Sequence, residues 1–309
     1  MISIVIPLYN KRNAITRTIQ SVLDQTVQCF ELIVVDDGSS DDSFAVVSKL
    51  NDDRLRLIHK ENGGVSSARN AGIKASKYPF VALLDGDDYW APTFLEEQLA
   101  LIEDYPKAGM WGVNYAFVKG DKCRPCNQGM CDGFRGYVEG YFESSHNDLF
   151  CSSSVVIRKE VFERVGFFDE RIASSEDLDM WYRIILNYPV VFYDKVLAYY
   201  NQNAENRVAY DTDVRFPLSK DIKYYIDKYE DDFKSNKAFS HFLNSLTAAE
   251  LLSKGYYFGS LQDRMDADHV ANLLHYSDIH PKYCWIFKTP RWFGWIVYKT
   301  VTLKKMIAR

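Results

Sequence analysis

Asp85-Gly86-Asp87-Asp88 follows directly on the apolar run Phe80-Val81-Ala82-Leu83-Leu84, so acidic side chains gather where a buried strand ends. Carboxylates packed this closely repel one another unless a cation sits among them. Oxygen-only ligation of this kind suits Mg²⁺ or Mn²⁺ rather than zinc. A turn built from Asp and Gly is the competing reading, since those residues reverse a chain at low cost. A second candidate for metal chemistry is Cys123, Cys126 and Cys131, where CxxC precedes another cysteine. No fourth ligand stands at matching spacing unless Cys151 or His146 supplies it, so a solvated loop with free thiols is the expectation.

The elements that must position the acidic cluster read clearly. Short β-rich runs alternate with helical patterns over the first hundred residues or so, the signature of βαβ units and a mostly parallel sheet. Strands are predicted over 2–6, 32–35, 55–58 and 80–84, with helices over 15–23, 44–50 and 68–75. A helix over 92–102, a strand over 110–118, a strand over 151–157 and a short helix over 161–165 ended by Gly166 follow. Residues 177–186 read as helix and 190–200 as strand, while 119–136 is polar, aperiodic and expected to be a loop. Beyond about residue 205 strand signals fade and 217–274 carries helical periodicity. The predicted organisation is a catalytic domain over 1–205, with halves 1–105 and 106–205, and a helical extension over 206–309.

In an open α/β sheet, ligands bind outside the carboxyl ends of the strands. The first strand leads into Pro7-Leu8-Tyr9-Asn10, the second into Asp36-Asp37-Gly38-Ser39, the third toward Glu61-Asn62-Gly63-Gly64 and the fourth into the Asp85 cluster. Tyr9 could stack on a base, and Asp36 or Asp37 could accept a hydrogen bond from a base N–H. Asn62, Gly63 and Gly64 offer backbone that approaches a ribose closely. Arg69 on the following helix could pair with phosphate oxygens, or be an ordinary surface helix residue. His59 and His146 have no evident partners.

Composition bounds the rest. The chain is 47% hydrophobic and 26% charged, as a packed soluble protein is, and 15% aromatic. A net charge of −5 argues against nucleic acid as a partner. The opening Met1-Ile2-Ser3-Ile4-Val5-Ile6-Pro7 carries no signal-peptide pattern and no apolar run is long enough to span a membrane, so a cytoplasmic protein with reduced thiols is expected.

The segments SIVIPLYN, VVDDGSSDDS, ENGGVSSARNAGI, LLDGDDYWAP and VGFFDERIASSEDLDMWYRI, in that order, resemble glycosyltransferase family 2, the inverting enzymes of the GT-A fold typical of bacterial cell-surface polysaccharide synthesis. The resemblance covers about two thirds of the chain. It implies a Rossmann-like central sheet flanked by helices, and a nucleotide-sugar donor, most often a UDP-sugar. Asp36 and Asp37 would then bind the nucleobase and its sugar, and Asp85 the ribose, with Gly86 in the same turn. Asp87 would be the protein ligand to Mn²⁺ or Mg²⁺, and Asp177 of Glu176-Asp177 the catalytic base. A cation would neutralise the leaving diphosphate and a carboxylate would take the proton of the attacking hydroxyl.

Locally, Asp177 also reads as the return arm of a helix cap begun by Ser174. Glu176, Trp181 and Arg183 are acceptor-side candidates. Trp181 could equally be core, and Arg183 could reach the diphosphate or form a structural ion pair. Residues 282–309 carry seven Lys or Arg and no acid, interleaved with Trp285, Trp292, Trp295 and Tyr298. That pattern suits a membrane surface and a glycan or lipid-linked glycan acceptor, or a terminal helix packed on the domain. A nucleotidyltransferase would show a glycine-rich, lysine-containing phosphate loop near the N-terminus, which Pro7-Leu8-Tyr9-Asn10 is not, and a pure binding module would have no need of a base.

Overall fold

The computed structural model describes residues 1–126, 130–143, 149–172, 176–204, 228–240 and 242. The chain divides into two compact units, one comprising Met1–Tyr141 and Ser145–Asp211, the other Phe142–Ser144 and Thr212–Arg309.

Among its described residues the first unit has ten strands: β1 (Ile2–Leu8), β2 (Phe30–Asp37), β3 (Leu55–Lys60), β4 (Phe80–Leu83), β5 (Tyr89–Trp90), β6 (Met110–Lys119), β7 (Lys122–Pro125), β8 (Arg135–Tyr137), β9 (Val155–Arg158) and β10 (Val190–Asn201). The helices described with them are α1 (Ile15–Leu23), α2 (Ser43–Ser48), α3 (Val65–Ala75), α4 (Phe94–Asp104), α5 (Lys159–Val165) and α6 (Glu176–Asn187). The strands lie in the order β3-β2-β1-β4-β9-β6-β10-β5, with β7 beside β6 and β8 beside β10. The β3-β2-β1-β4 half is parallel throughout. β9 runs antiparallel to both its neighbours, β4 and β6. This is the mixed, mostly parallel sheet of a GT-A, Rossmann-like fold.

Local sequence explains these elements. All seven residues of β1 are buried, and a parallel sheet covered on both faces requires such an unbroken apolar run. α1 turns Ile15, Thr18, Ile19 and Val22 inward, an i, i+3, i+4, i+7 stripe laid on the sheet. Trp111 on β6 is fully buried and meets Phe80 of β4 edge-on at 5.7 Å. Trp90 stacks on Phe94 at 3.9 Å between centroids while its indole N–H donates to the Ser153 carbonyl at 2.6 Å.

The segment 119–136, expected to be a loop, contains two strands. Gly120, at φ 57°, turns the chain so that β7 folds back antiparallel on β6, and β8 joins β10. β7 is exposed along its whole length, so its pairing comes from backbone groups of β6 and leaves no apolar periodicity to read. In the second unit, Glu230–Ser235 and residues 237–240 are helical, and Tyr229, Phe239 and Phe242 are buried. Phe239 meets Phe142 edge-on at 4.8 Å. The rest of the 206–309 extension, including the basic aromatic tail, lies outside the described residues. No helix among the described residues is long and apolar enough to cross a membrane.

Asn70 on α3 ties the two halves of the first unit together. Its Nδ2 donates to the Phe168 carbonyl and to Glu170 Oε1, both at 2.9 Å, and its Oδ1 accepts the Phe168 N–H at 2.9 Å. Asn70→Ala would strand the buried Phe168 amide groups at about 1–3 kcal/mol per group. Urea denaturation of the variant is expected to show a midpoint lowered by the equivalent of roughly 2 kcal/mol at unchanged slope. An unaltered midpoint would show the clamp to be dispensable.

Candidate active site

Chain order runs outward from β1 to β2 and β3, then returns to the other flank of β1 as β4, so the topological switch lies between β1 and β4. At their carboxyl ends the Asp85 turn presses against Pro7. A Cβ on Gly86 would sit 2.9 Å from the Pro7 carbonyl oxygen, so only glycine allows this approach. The turn closes through the Asp88 N–H donating to the Asp85 carbonyl at 3.0 Å, and Ser153 Oγ accepts the Asp85 N–H at 3.1 Å.

The three carboxylates diverge to separate partners. Asp85 accepts from Arg69 Nη2 at 2.7 Å and Asp87 from Lys11 Nζ at 2.7 Å. Asp88 is buried and accepts from Ser153 Oγ at 2.6 Å and from the Asn201 N–H at 2.9 Å. Burial raises the pKa of Asp88 well above the carboxylate range, with the charges of Asp87 and Asp85 adding to it. Burial raises Asp87 as well, against the pull of Lys11. Each of the three carboxylates thus has hydrogen-bond partners of its own.

Among the described residues no three His, Cys, Asp or Glu side chains converge as metal ligands. Oxygen donors of this kind suit Mg²⁺ or Mn²⁺, and a single carboxylate such as Asp87 would hold either only with a diphosphate and water supplying the remaining oxygens. Cys123 and Cys131 are exposed, Cys126 is buried and Cys151 is partly so, with no disulfide among them. Burial beside Asp88 drives the Cys151 pKa far up, which keeps it a thiol.

On the β2–β3 side, strand register pairs Asp36 with His59 and Asp37 with Lys60. The side chains follow that register: Asp36 Oδ2 lies 2.7 Å from His59 Nδ1, and Lys60 Nζ donates to Asp37 Oδ1 at 2.6 Å. Asp37 also accepts the Gly63 N–H at 3.0 Å and the Gly64 N–H at 2.8 Å, and Asn62 Nδ2 donates to the Asp37 carbonyl at 2.9 Å. Gly64, at φ 87°, provides the left-handed bend that starts α3. Asp36 is fully buried, and its Oδ1 has no partner among the described residues. Asn10, at φ 51°, reaches the β2–α2 loop with its Oδ1 accepting from the Ser40 N–H at 2.8 Å. Tyr9 stands 45% exposed, an aromatic face open to a flat ligand.

Arg69 is no surface residue: it is 3% exposed and forks between Asp85 and Glu176 Oε1, each at 2.7 Å. Although burial works against its charge, Asp85, Glu176 and Asp177 outweigh that cost and hold its pKa above the ordinary value. Asp177, in the first turn of α6, accepts its neighbour Leu178 N–H at 2.8 Å. Burial first, then the Glu176 charge, raises its pKa from 3.8 to about 6, against the pull of Arg69. The capping partner Ser174 lies outside the described residues, as do His146 and residues 282–309.

Two acceptor-side candidates have structural placements. Trp181 is fully buried, edge-on to Phe168 at 6.4 Å. Arg183 spends its guanidinium on Asp179 Oδ2 at 2.7 Å and on the carbonyls of Val165, Gly166 and Phe167 at 2.7, 2.9 and 3.0 Å, closing the end of α5. His59, expected to have no evident partner, meets the Asp36 carboxylate across strand register, and sequence reasoning passed over Lys11, Lys60 and Ser153. Aligning the second and third strands in parallel register would have found the His59 and Lys60 pairs. A groove of about 600 Å³ beside α1, lined in part by Arg17, Gln20, Asp24 and Tyr89, contains none of the donor-side residues. Arg17 and Tyr199 lie against the faces of Tyr89, at 3.4 and 4.8 Å, so that ring is not offered to a sugar.

Comparison with known proteins adds independent support. The family described as "Glycosyl transferase family 2" matches residues 3–166, just over half of the chain. An uncharacterised glycosyltransferase of Rickettsia felis is 30% identical over 212 residues, covering 64% of this chain and 33% of its own length. The chain thus spans about a third of the length of the first curated relatives it matches. WfaP of Escherichia coli, a UDP-Glc:α-D-GlcNAc-diphosphoundecaprenol β-1,3-glucosyltransferase, is 38% identical over 105 residues, 33% of this chain and 41% of its own. The structure of S. aureus TarS residues 1–349 in complex with UDP-GlcNAc superposes with a TM-score of 0.61 at 22% identity, over 96% of this chain and 78% of that one, which shows a shared fold. With the strand ends, the Arg69 fork and the matched segment in agreement, the chain belongs to glycosyl transferase family 2.

Proposed function

We propose that this protein transfers a sugar from a UDP-sugar to a hydroxyl of a glycan or lipid-linked glycan acceptor, in one displacement that inverts the anomeric carbon. The observation that carries the reading is the Arg69 fork, which joins Asp85 to Glu176 at 2.7 Å each and so sets Asp177, the next residue in the first turn of α6, beside the strand-end site, where burial and the Glu176 charge raise its pKa to about 6. A general base works best with a pKa near the operating pH, and contributes about 10²- to 10⁴-fold. Asp177 takes the acceptor hydroxyl proton as the new bond forms. Asp85 receives the ribose, while Tyr9 and the open Oδ1 of Asp36 receive a base that offers a ring face and an N–H. The Asp37-bound Gly63-Gly64 turn borders the donor. Asp87 holds Mn²⁺ or Mg²⁺ together with the donor diphosphate, and the cation when bound neutralises charge on the leaving group. The donor and acceptor classes follow what the name of WfaP states for that relative. The basic aromatic segment 282–309 supports contact with an anionic membrane surface at the cytoplasmic leaflet, where a lipid-linked acceptor would lie.

Asp177→Asn is expected to cut transfer at least 100-fold while leaving Mn²⁺-dependent UDP binding, measured by calorimetry, within a factor of two or so. Parallel loss of both would mean that Asp177 only shapes the site. The parent rate should rise with pH through about 6, where Asp177 ionises, and level off above it. Because its folded pKa lies above the ordinary 3.8, the folded state binds more protons between those values. Stability is therefore lost as pH rises from about 4 to 6, on the order of 3 kcal/mol. Asp177→Asn should accordingly raise the melting temperature at pH 7.5 and leave it unchanged near pH 4. Asp87→Ala should weaken UDP binding in a way that excess Mn²⁺ does not restore, and full rescue would remove Asp87 from the metal site. Deleting residues 282–309 should abolish sedimentation with anionic liposomes, and undiminished sedimentation would end the membrane reading.

A further inference from the structure

Lys11 follows the end of β1 and reaches the acidic turn at Asp87, as Arg69 does at Asp85. Its Nζ donates to Asp87 Oδ2 at 2.7 Å, with the two side chains only 13% and 14% exposed. The backbone beneath it is fixed on three sides. The Lys11 N–H donates to Ser43 Oγ at 2.8 Å, and its carbonyl accepts the N–H groups of Ala14 and Ile15 at 3.0 and 2.9 Å. Gly86 lies close beside the stem, since a Cβ there would come within 3.8 Å of Lys11 Cγ. A lysine anchored in this way, with its charge largely withdrawn from water, is a built counterion rather than a surface side chain that drifts near an acid.

We propose that Lys11 is the resident counterion of Asp87, with which a divalent cation must compete, so that Asp87 takes up metal together with a nucleoside diphosphate rather than alone. The inference rests on Asp87 being the protein ligand to the cation. The ammonium already neutralises that carboxylate from 2.7 Å, and a cation bonded to it at about 2.1 Å would meet a like charge in a site with little water. A diphosphate changes the balance, because its oxygens coordinate the metal and also receive the displaced ammonium. Metal and nucleotide then tighten each other's binding by the same factor, as linkage requires. Without Lys11 the metal has no competitor, so it binds by itself and the coupling shrinks. The lysine thereby keeps the donor site from filling with free cation and reserves Asp87 for the complete donor.

Free Mn²⁺ measured by electron paramagnetic resonance, with and without UDP, tests this directly and needs no turnover. For the parent chain, UDP is expected to tighten Mn²⁺ binding at least tenfold. Lys11→Met and Lys11→Gln should bind Mn²⁺ alone at least tenfold tighter than the parent does, with a correspondingly smaller effect of UDP. Gln keeps a hydrogen-bond donor and Met keeps the apolar stem, so whichever variant folds decides the matter. Variants that bind Mn²⁺ alone as weakly as the parent, while UDP still promotes binding, would overturn the role of Lys11. Absence of Mn²⁺ binding in parent and variants even with UDP would instead overturn the assignment of Asp87 as metal ligand, and this inference with it.

Discussion

One buried cation organises this site. The Arg69 guanidinium, 3% exposed and resting 5.3 Å from the Phe168 ring centre, sits where an uncompensated charge would cost several kcal/mol. Its compensation comes from two directions, from Asp85 beyond β4 and from Glu176 at the start of α6. The first turn of α6 is therefore drawn to the switch point of the parallel half-sheet, and Asp177 arrives beside Glu176 already under the combined influence of burial and neighbouring charge. Asn70, the next residue on α3, fixes the Phe168–Glu170 segment that leads toward α6. Adjacent residues on one helix thus hold both the charge balance and the loop geometry of the acceptor side.

The acidic strand ends divide their labour by burial. Asp88 and Asp37 satisfy the backbone and hydroxyl groups around them, one linking the turn to Asn201, the other gathering Gly63, Gly64 and Lys60. Asp36 keeps one oxygen for His59 and leaves the other without a partner. A loop assembled before the ligand arrives does not have to be ordered at the moment of binding, so more of the contact energy is expressed as affinity.

Much of this was legible in the sequence, and the gaps have physical causes. Unbroken apolar runs marked β1, β2 and β4, because strands of a parallel sheet are buried on both faces. Turn residues at their ends marked where polar groups would collect. β7 and β8 were invisible because an exposed edge strand is held by its neighbour's backbone, which no side-chain pattern announces. Arg69 read either as a phosphate partner or as a surface residue, and its burial between two carboxylates was not foreseen because nothing within its own helix explains burying a guanidinium and Glu176 lies 107 residues away. The partners of Lys11, His59 and Lys60 were overlooked for a similar reason. Each becomes significant only once strand register and the tight approach of Gly86 to Pro7 set two strand ends side by side.

The reach of Arg69 and Asn70 across about a hundred residues also bears on how the chain acquires its structure. Contacts so distant in sequence form after local ones, because a long loop must close first. During synthesis α3 emerges about a hundred residues ahead of Glu176, which completes the Arg69 fork, and of Phe168 and Glu170, which hold Asn70. Residues 1–105 therefore complete two of their buried polar contacts with residues 168–176. Their charge balance is completed from beyond Gly166, by Glu176, only shortly before β10 is made and takes its place beside β6.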